Sequence, residues 1–242
     1  MFYLYHNNDL GRLAALFAAL REGNRPAPLQ TDIVLVPNRG VGRWLTMQIA
    51  ESEGVAANIE ARLPGGFIWD LLRAVDPRAP PSEDFEPDCL LWHLYFALPA
   101  MAAEIPAAAN YLGTTVDELR RYQLARQLAE VFDRYLIYRP DLLATWEAGA
   151  TPAQNPGCWQ AQVWRWLTRP ERLGGHHRAS VLGDFITGLA QDRGLQQRVV
   201  AVCPASLYCF GLAALAPDQL RLLYAVGRLV NVHFLLPNPR AE

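Results

Sequence analysis

The chain has 242 residues, room for one large or two small domains, and at 51% hydrophobic it can fill a sizeable core, which excludes global disorder. Its formal net charge of −2 excludes a uniformly basic nucleic-acid coat but leaves a local basic groove open. All 22 basic residues are arginine, so a Walker-A lysine, a Schiff-base lysine and a lysine general base are all excluded.

Phe2-Tyr3-Leu4-Tyr5 reads as a first short strand, so no signal peptide is expected ahead of the fold. Asn8 or Asp9 can cap the helix that follows, Leu10 to about Arg21, with Leu13, Leu16, Phe17 and Leu20 on one face. The linker Gly23 to Pro28 ends it. This strand-loop-helix stands where an NTPase carries its P-loop. That loop needs glycines to expose backbone N–H groups and a lysine for the phosphates. Here His6 to Arg12 reads HNNDLGR, and Asp9 would repel phosphate.

The stretch that organises the chain is Thr31 to Asp70. Ile33-Val34-Leu35-Val36 reads as a strand buried on both faces, as in a parallel sheet. Pro37-Asn38-Arg39-Gly40 is a loop, and Trp44, Leu45, Gln48 and Ile49 fall at helical spacing. Ligands of open α/β sheets sit at the carboxyl ends of the strands, where this loop lies. It carries Arg39 and Arg43 and no acidic residue, so an anion is its natural ligand. Asn58 to Pro64 leads on to Phe67-Ile68-Trp69-Asp70, an aromatic pair on a polar rim.

From there the pattern is helical: Phe67 to Val75, Asp88 to Met101, and the longest helix from about Val116 to Tyr138, opened by the capping box Thr115 to Glu118. Its apolar stripe is Leu124, Leu128, Val131, Phe132 and Tyr135. Further helices run from Pro140 to Trp146, around Trp159, Trp164 and Trp166, and over Val181 to Ala190. Strand character returns at Val199 to Val202 and Leu207 to Phe210, and Pro217 starts a helix to about Leu229. Val232 to Leu236 is a closing strand. The order βαβα, helices, βαβ predicts a parallel α/β core, residues 1–66 and 197–242, with an all-helical insertion over 67–196. The chain stops at its last strand without a terminal helix and reads as a piece of a longer protein.

Cys89, Cys158, Cys203 and Cys209 form no CxxC pair, so no zinc cluster is expected, and Cys203 and Cys209 read as buried thiols. No apolar run approaches the roughly 20 residues needed to cross a bilayer. The expectation is a reduced, cytoplasmic protein with no membrane partner.

Several strings resemble the N-terminal part of the RecC family, the gamma chain of exodeoxyribonuclease V. They include Tyr5-His6-Asn7-Asn8, Ile33 to Val36, Arg43-Trp44-Leu45, Gly54 to Ile59, Leu63-Pro64, Phe67 to Asp70, Phe132 to Asp141, His177-Arg178-Ala179 and Leu236 to Pro239. The AANI…LP…FIWD and FD-YL-YRPD strings are the most specific, since they combine rare residue types at fixed spacing. The resemblance covers essentially the whole chain and implies a P-loop-NTPase-like fold: an inactive superfamily 1 helicase-like parallel sheet (1A-like) with a helical insertion (1B-like). It implies a non-catalytic chain that guides single-stranded and forked DNA and scans the 3′-ended strand for Chi. RecB-like and RecD-like partner subunits would use the ATP and Mg, with no cofactor in this chain.

The resemblance assigns DNA contact to Pro37, Arg39, Arg43, Leu63, Trp69, Glu130, Val131, Asp133, Arg139 and Arg178. Leu63, Trp69, Asp133, Arg139 and Arg178 keep the family's residue type. Pro37, Arg39 and Arg43 replace polar uncharged residues, and Glu130 and Val131 are milder changes, so a Chi variant is open. Arginine can grip phosphate or read guanine bidentately.

Each of these residues also has a plain structural role open to it. Arg39 and Arg43 can be solvated surface arginines. Trp69 can be a core tryptophan at helical spacing, whereas stacking on a base would contribute ~1–3 kcal/mol. Asp133 can pair with Arg134 or accept from a base amine, and Arg139 can simply be a cation at a helix end. Trp159, Trp164 and Trp166 read as core and subunit-facing rather than as a base-stacking ladder. His176-His177-Arg178 reads as a polar loop without metal-ligand geometry, and Asp84, Glu86 and Asp88 as solvated acids rather than a nuclease centre. Two rival classes remain: a scaffold that docks the motor subunit with little DNA contact, and a small-molecule α/β enzyme, for which no catalytic motif is present.

Overall fold

The computed structural model describes residues 1–23, 30–76, 83–113, 117–150 and 158–238. In chain order the elements are β1 (Phe2–Asn7), α1 (Leu10–Gly23), β2 (Asp32–Leu35), α2 (Arg39–Glu53), β3 (Ile59–Arg62) and α3 (Pro64–Val75). A 3-10 turn (Glu83–Phe85), α4 (Pro87–Glu104), α5 (Pro106–Leu112), α6 (Glu118–Tyr138), α7 (Pro140–Glu147) and α8 (Cys158–Leu167) follow. Then come α9 (Arg178–Gln191), α10 (Arg193–Val202), β4 (Ser206–Phe210), α11 (Pro217–Val226) and β5 (Asn231–Pro237). The chain forms two compact units, Met1–Ala79 with Phe185–Glu242, and Pro80–Asp184.

The first unit is α/β. Its five strands pair in the order β1-β5-β4-β2-β3, all parallel. Val34, Val36, Tyr208, Phe210 and Leu235 form one apolar face, packed under Leu13 and Phe17 of α1 and Leu45 and Ile49 of α2. Strand alternation turns Leu207, Cys209, Val232 and Phe234 to the opposite face, where they are buried as well. A parallel sheet is covered on both faces in this way, which is why its strands read as continuous apolar runs. Burial pushes the Cys209 thiol up to about 12 and the half-buried Cys203 thiol up to about 11, so neither is a ready thiolate at neutral pH.

Two expected elements are corrected. Val199 to Val202 is not a strand but the end of α10. Asp192 opens that helix by accepting from the Gly194 N–H (2.7 Å). Val199 is buried, while Val200 and Val202 are about half exposed, the one-sided burial of a helix terminus. The sheet instead gains β3, Ile59–Arg62, which had no strand signature. It lies at the sheet edge and pairs only with β2, so Glu60 and Arg62 fill positions that a central strand would give to apolar residues. The division also differs from the one drawn at residues 67 and 196. Helix α10 packs on α3, and α3 packs on α11, so both flanks belong with the sheet.

The second unit is helical among the described residues. Leu90, Leu94 and Leu98 of α4 meet Leu124, Leu128, Phe132 and Leu136 of α6 in one core with Trp146, Trp164 and Trp166. Trp164 and Trp166 are thus core residues, and Trp159 packs partly buried against them. Val131 and Tyr135 lie at the margin of the α6 stripe. Asp117 caps α6, accepting from Leu119 N–H (3.0 Å) and Arg120 N–H (3.2 Å). Thr115 of the expected capping box, most of the linker after Gly23 and the proline cluster at 77–81 lie outside the described residues. No single helix among the described residues is long and apolar enough to cross a membrane. The α4–α5 pair reaches that length only together and is bent by 116°.

Candidate nucleic-acid interface

Helix N-termini at the carboxyl ends of strands are anion sites when their amides are free. At β1 they are not free. Asp9 folds its own carboxylate over the start of α1, accepting from Gly11 N–H (2.7 Å) and Arg12 N–H (3.3 Å). Asn7 in turn accepts from Asp9 N–H (2.9 Å). The first amides of α1 are thus taken by the chain's own anion.

The β2–β3 edge is built differently. The ladder runs one step past the strands, Val36 N–H donating to Arg62 C=O (2.9 Å), so Pro37 and Leu63 leave the sheet side by side. Asn38 caps α2 through its side chain, accepting from Val41 N–H (3.0 Å). Gly42 lets α2 lie close over β3: a Cβ there would stand 2.7 Å from the Ala61 Cβ. Gly211, at φ +71°, turns the chain after β4 beneath Pro37 and Val41. Arg39 and Arg43 project one helical turn apart from this edge, both exposed, and among the described residues neither has a carboxylate within ion-pair distance. Leu63 is 45% exposed and caps α3 without a side-chain bond. Phe67, Ile68, Leu71 and Leu72 make the buried face of α3, and Trp69 lies off that face, half buried and in no ring-to-ring contact among the described residues. It is not a core tryptophan. Arg62 does not join the free arginines. It is tied to Asp70 and Glu60 (3.5 Å) and lies over the Phe67 ring.

The other five expected residues sit on the helical unit. Glu130, exposed on α6, pairs with Arg126 one turn earlier (3.0 Å), and Val131 is half buried beside it. Asp133 pairs not with Arg134 but with Arg178, at the start of α9, whose guanidinium also reaches the Asp133 carbonyl (3.4 Å). Burial lowers the Arg178 guanidinium from its ordinary value, and the charge of Glu86 opposes that shift. Arg139 ends α6 and begins α7, and its side chain holds Asp141 (3.3 Å), keeping that carboxyl below its ordinary value. The ten residues therefore fall five and five on the two units, and Asp133 and Arg178 are joined by a side-chain ion pair.

Sequence reasoning missed what holds Arg178. His177 is not in a polar loop but 2% exposed, the cap of α9: its Nδ1 accepts from Ser180 N–H (3.1 Å). Its Nε2 lies 2.7 Å from Glu147 Oε1, which also accepts from Trp164 Nε1 (2.8 Å). Burial alone would raise the Glu147 carboxyl, but His177 and Trp164 outweigh it and hold the carboxyl below its ordinary value. These partners are 30 and 17 residues from Glu147, so no local spacing points to them. Asp84 also has a partner, His93 at 2.9 Å. No group of three metal-ligating side chains occurs among the described residues.

Comparison with known proteins agrees with the strings singled out above. A family model described as RecC, N-terminal domain, matches residues 2–242. The chain is 33% identical to the RecBCD enzyme subunit RecC of Escherichia coli over 251 residues, covering 99% of this chain and 22% of the relative. It is 32% identical to the same subunit of Mycobacterium tuberculosis (99% of this chain, 22% of the relative) and 27% identical to that of Haemophilus influenzae (100% and 24%). The chain thus spans under a quarter of the length of these curated relatives. The chain belongs to the RecC N-terminal domain family.

Proposed function

We propose that this chain is a non-catalytic, DNA-handling segment of a RecBCD-type helicase-nuclease acting in double-strand-break repair and homologous recombination. It guides a single strand and scans it for a Chi-type sequence. RecB-like and RecD-like subunits carry the motor and nuclease work, with ATP and Mg, in the cytoplasm. The observation that carries the reading is the β2–β3 edge, where two arginines without an ion pair among the described residues stand beside the exposed Leu63 and the half-buried Trp69. Guanidinium groups grip phosphates, and an aromatic face stacks on a base whatever its identity. On the helical unit, the Asp133–Arg178 pair presents a carboxylate and a guanidinium, the two groups that read base amines and base acceptors. The parallel sheet and the Asp9 cap fit a superfamily 1 helicase core that has exchanged phosphate binding for a self-satisfied loop.

The test is fluorescence anisotropy of a labelled single-stranded oligonucleotide titrated with the chain at several salt concentrations. The expected result is binding that weakens steeply with salt, and weakens further in Trp69→Ala and Arg139→Ala. No binding at low salt, or variants identical to the parent, overturns the reading.

A second reading, a scaffold that docks the motor subunit with little DNA contact, is favoured by one observation. Trp92 and Phe96 of α4 stand 51% and 73% exposed, in ring contact with one another and, through Trp92, with Tyr122 of α6. Exposed clustered aromatics are what protein interfaces use as anchors. A stable complex with the motor subunit, without affinity for DNA, supports this reading.

A further inference from the structure

At the amino end of the sheet, opposite the β2–β3 carboxyl edge, the α/β unit carries a groove of about 480 Å³ beside α11. Its floor is aliphatic, Ile186 and Leu189 from the end of α9 and Leu229 from the turn before β5. Its rim is Arg221, Tyr224 and Arg228, and no carboxylate lines it. Asp218, itself buried, takes only Nη1 of Arg221 (2.9 Å), which orients the guanidinium and leaves its Nε and Nη2 donors free for a ligand. Arg228 makes no ion pair among the described residues. Tyr224 is 61% exposed, and its ring rests tilted against Phe2 at 5.9 Å.

We propose that this groove docks an acidic, amphipathic helical segment of a partner protein. The charge is complementary: two guanidinium groups flank an apolar slot that no carboxylate lines, and Asp218 engages one nitrogen of Arg221 alone. Tyrosine and arginine around an aliphatic floor are the residue types that carry most interface energy. A helix with apolar anchors three and four residues apart would fill the floor and set its acids against Arg221 and Arg228. Single-stranded nucleic acid fits less well. A strand needs successive aromatic faces and a track of charge, whereas this floor offers bases neither a stacking face nor a hydrogen bond. Within the α/β unit the site shares no residue with the β2–β3 edge and does not depend on the reading given that edge.

The probes are a fluorescein-labelled synthetic helical peptide with leucines on one face and glutamates on the others, the same peptide with arginines for glutamates, and a labelled single-stranded oligonucleotide. Each is titrated by anisotropy against the parent chain, Arg228→Glu and Tyr224→Ala. The acidic peptide is expected to bind saturably, and to bind about tenfold more weakly to Arg228→Glu. The basic peptide should gain affinity for Arg228→Glu, a charge swap that a misfolded variant cannot produce. Oligonucleotide affinity should be the same in all three proteins. Absence of saturable binding by the acidic peptide overturns the proposal, as does indifference to both substitutions. Loss of oligonucleotide rather than peptide affinity in Arg228→Glu overturns it in favour of nucleic acid.

Discussion

His177 shows how far a single side chain can organise its surroundings. Both ring nitrogens are used: Nδ1 accepts the Ser180 amide, which places the proton on Nε2, facing Glu147. That fixes one tautomer and anchors the first turn of α9, where Arg178 meets Asp133. Removing the ring strips the helix cap and leaves a half-buried carboxylate and the Trp164 N–H poorly matched. His177→Ala is therefore expected to cost ~3 kcal/mol in urea unfolding, the sum of a lost cap and a broken buried bond. The pH dependence has a definite sign. The folded Glu147 carboxyl titrates below its ordinary value, so its stabilisation is complete above the unfolded value of about 4.3 and fades as pH falls through the lower folded one. Glu147→Gln should unfold at lower urea than the parent at pH 7, and the gap should narrow by about pH 3. A gap that stays constant would mean the carboxylate charge is not what stabilises the cluster.

At the scale of elements, the closest approach is α2 over β3. Gly42→Val would set carbon against the Ala61 methyl at well under van der Waals distance, and backbone on both sides limits relief. Overpacking of this kind costs ~1–3 kcal/mol. The expected readout is a lowered unfolding midpoint together with faster amide exchange in β2 and β3. Elements were legible in the sequence where burial is two-sided or strictly one-sided. Strands β2, β4 and β5 are buried on both faces and announce themselves as apolar runs. The helices show their cores as leucines three and four apart. The edge strand β3, with Ile-Glu-Ala-Arg, carries no such signal because half of its surroundings are solvent. The valines of α10 misled because β-branched residues at a helix end cost little when only Val199 must be buried. Of the site, the strand-end position of Pro37 and Arg39 followed from chain order, whereas that of Leu63 did not, because β3 carried no signal. Nor did the bond between Asp133 and Arg178, 45 residues apart.

For the molecule as a whole, a net charge of −2 means that affinity for an anionic strand must come from local clusters and not from the overall field. Each phosphate contact contributes about 0.7 to the slope of log affinity against log salt for a single strand. Replacing Arg39 and Arg43 together by alanine should flatten that slope by about 1.4, and an unchanged slope would remove the β2–β3 edge from the strand's path. The sheet order has a temporal consequence. Among the described strands β1 has one neighbour, β5, and β5 is the last of the five in chain order. At ribosomal rates of about 5–20 residues per second, Asn231 follows Asn7 by roughly 11–45 s. Throughout that interval the strand that pairs with Phe-Tyr-Leu-Tyr among the described residues is not yet made, and unpaired apolar edges recruit other chains. The first of the described strands is thus the last of them to gain its partner in the sheet, and until then its edge stays open to other chains.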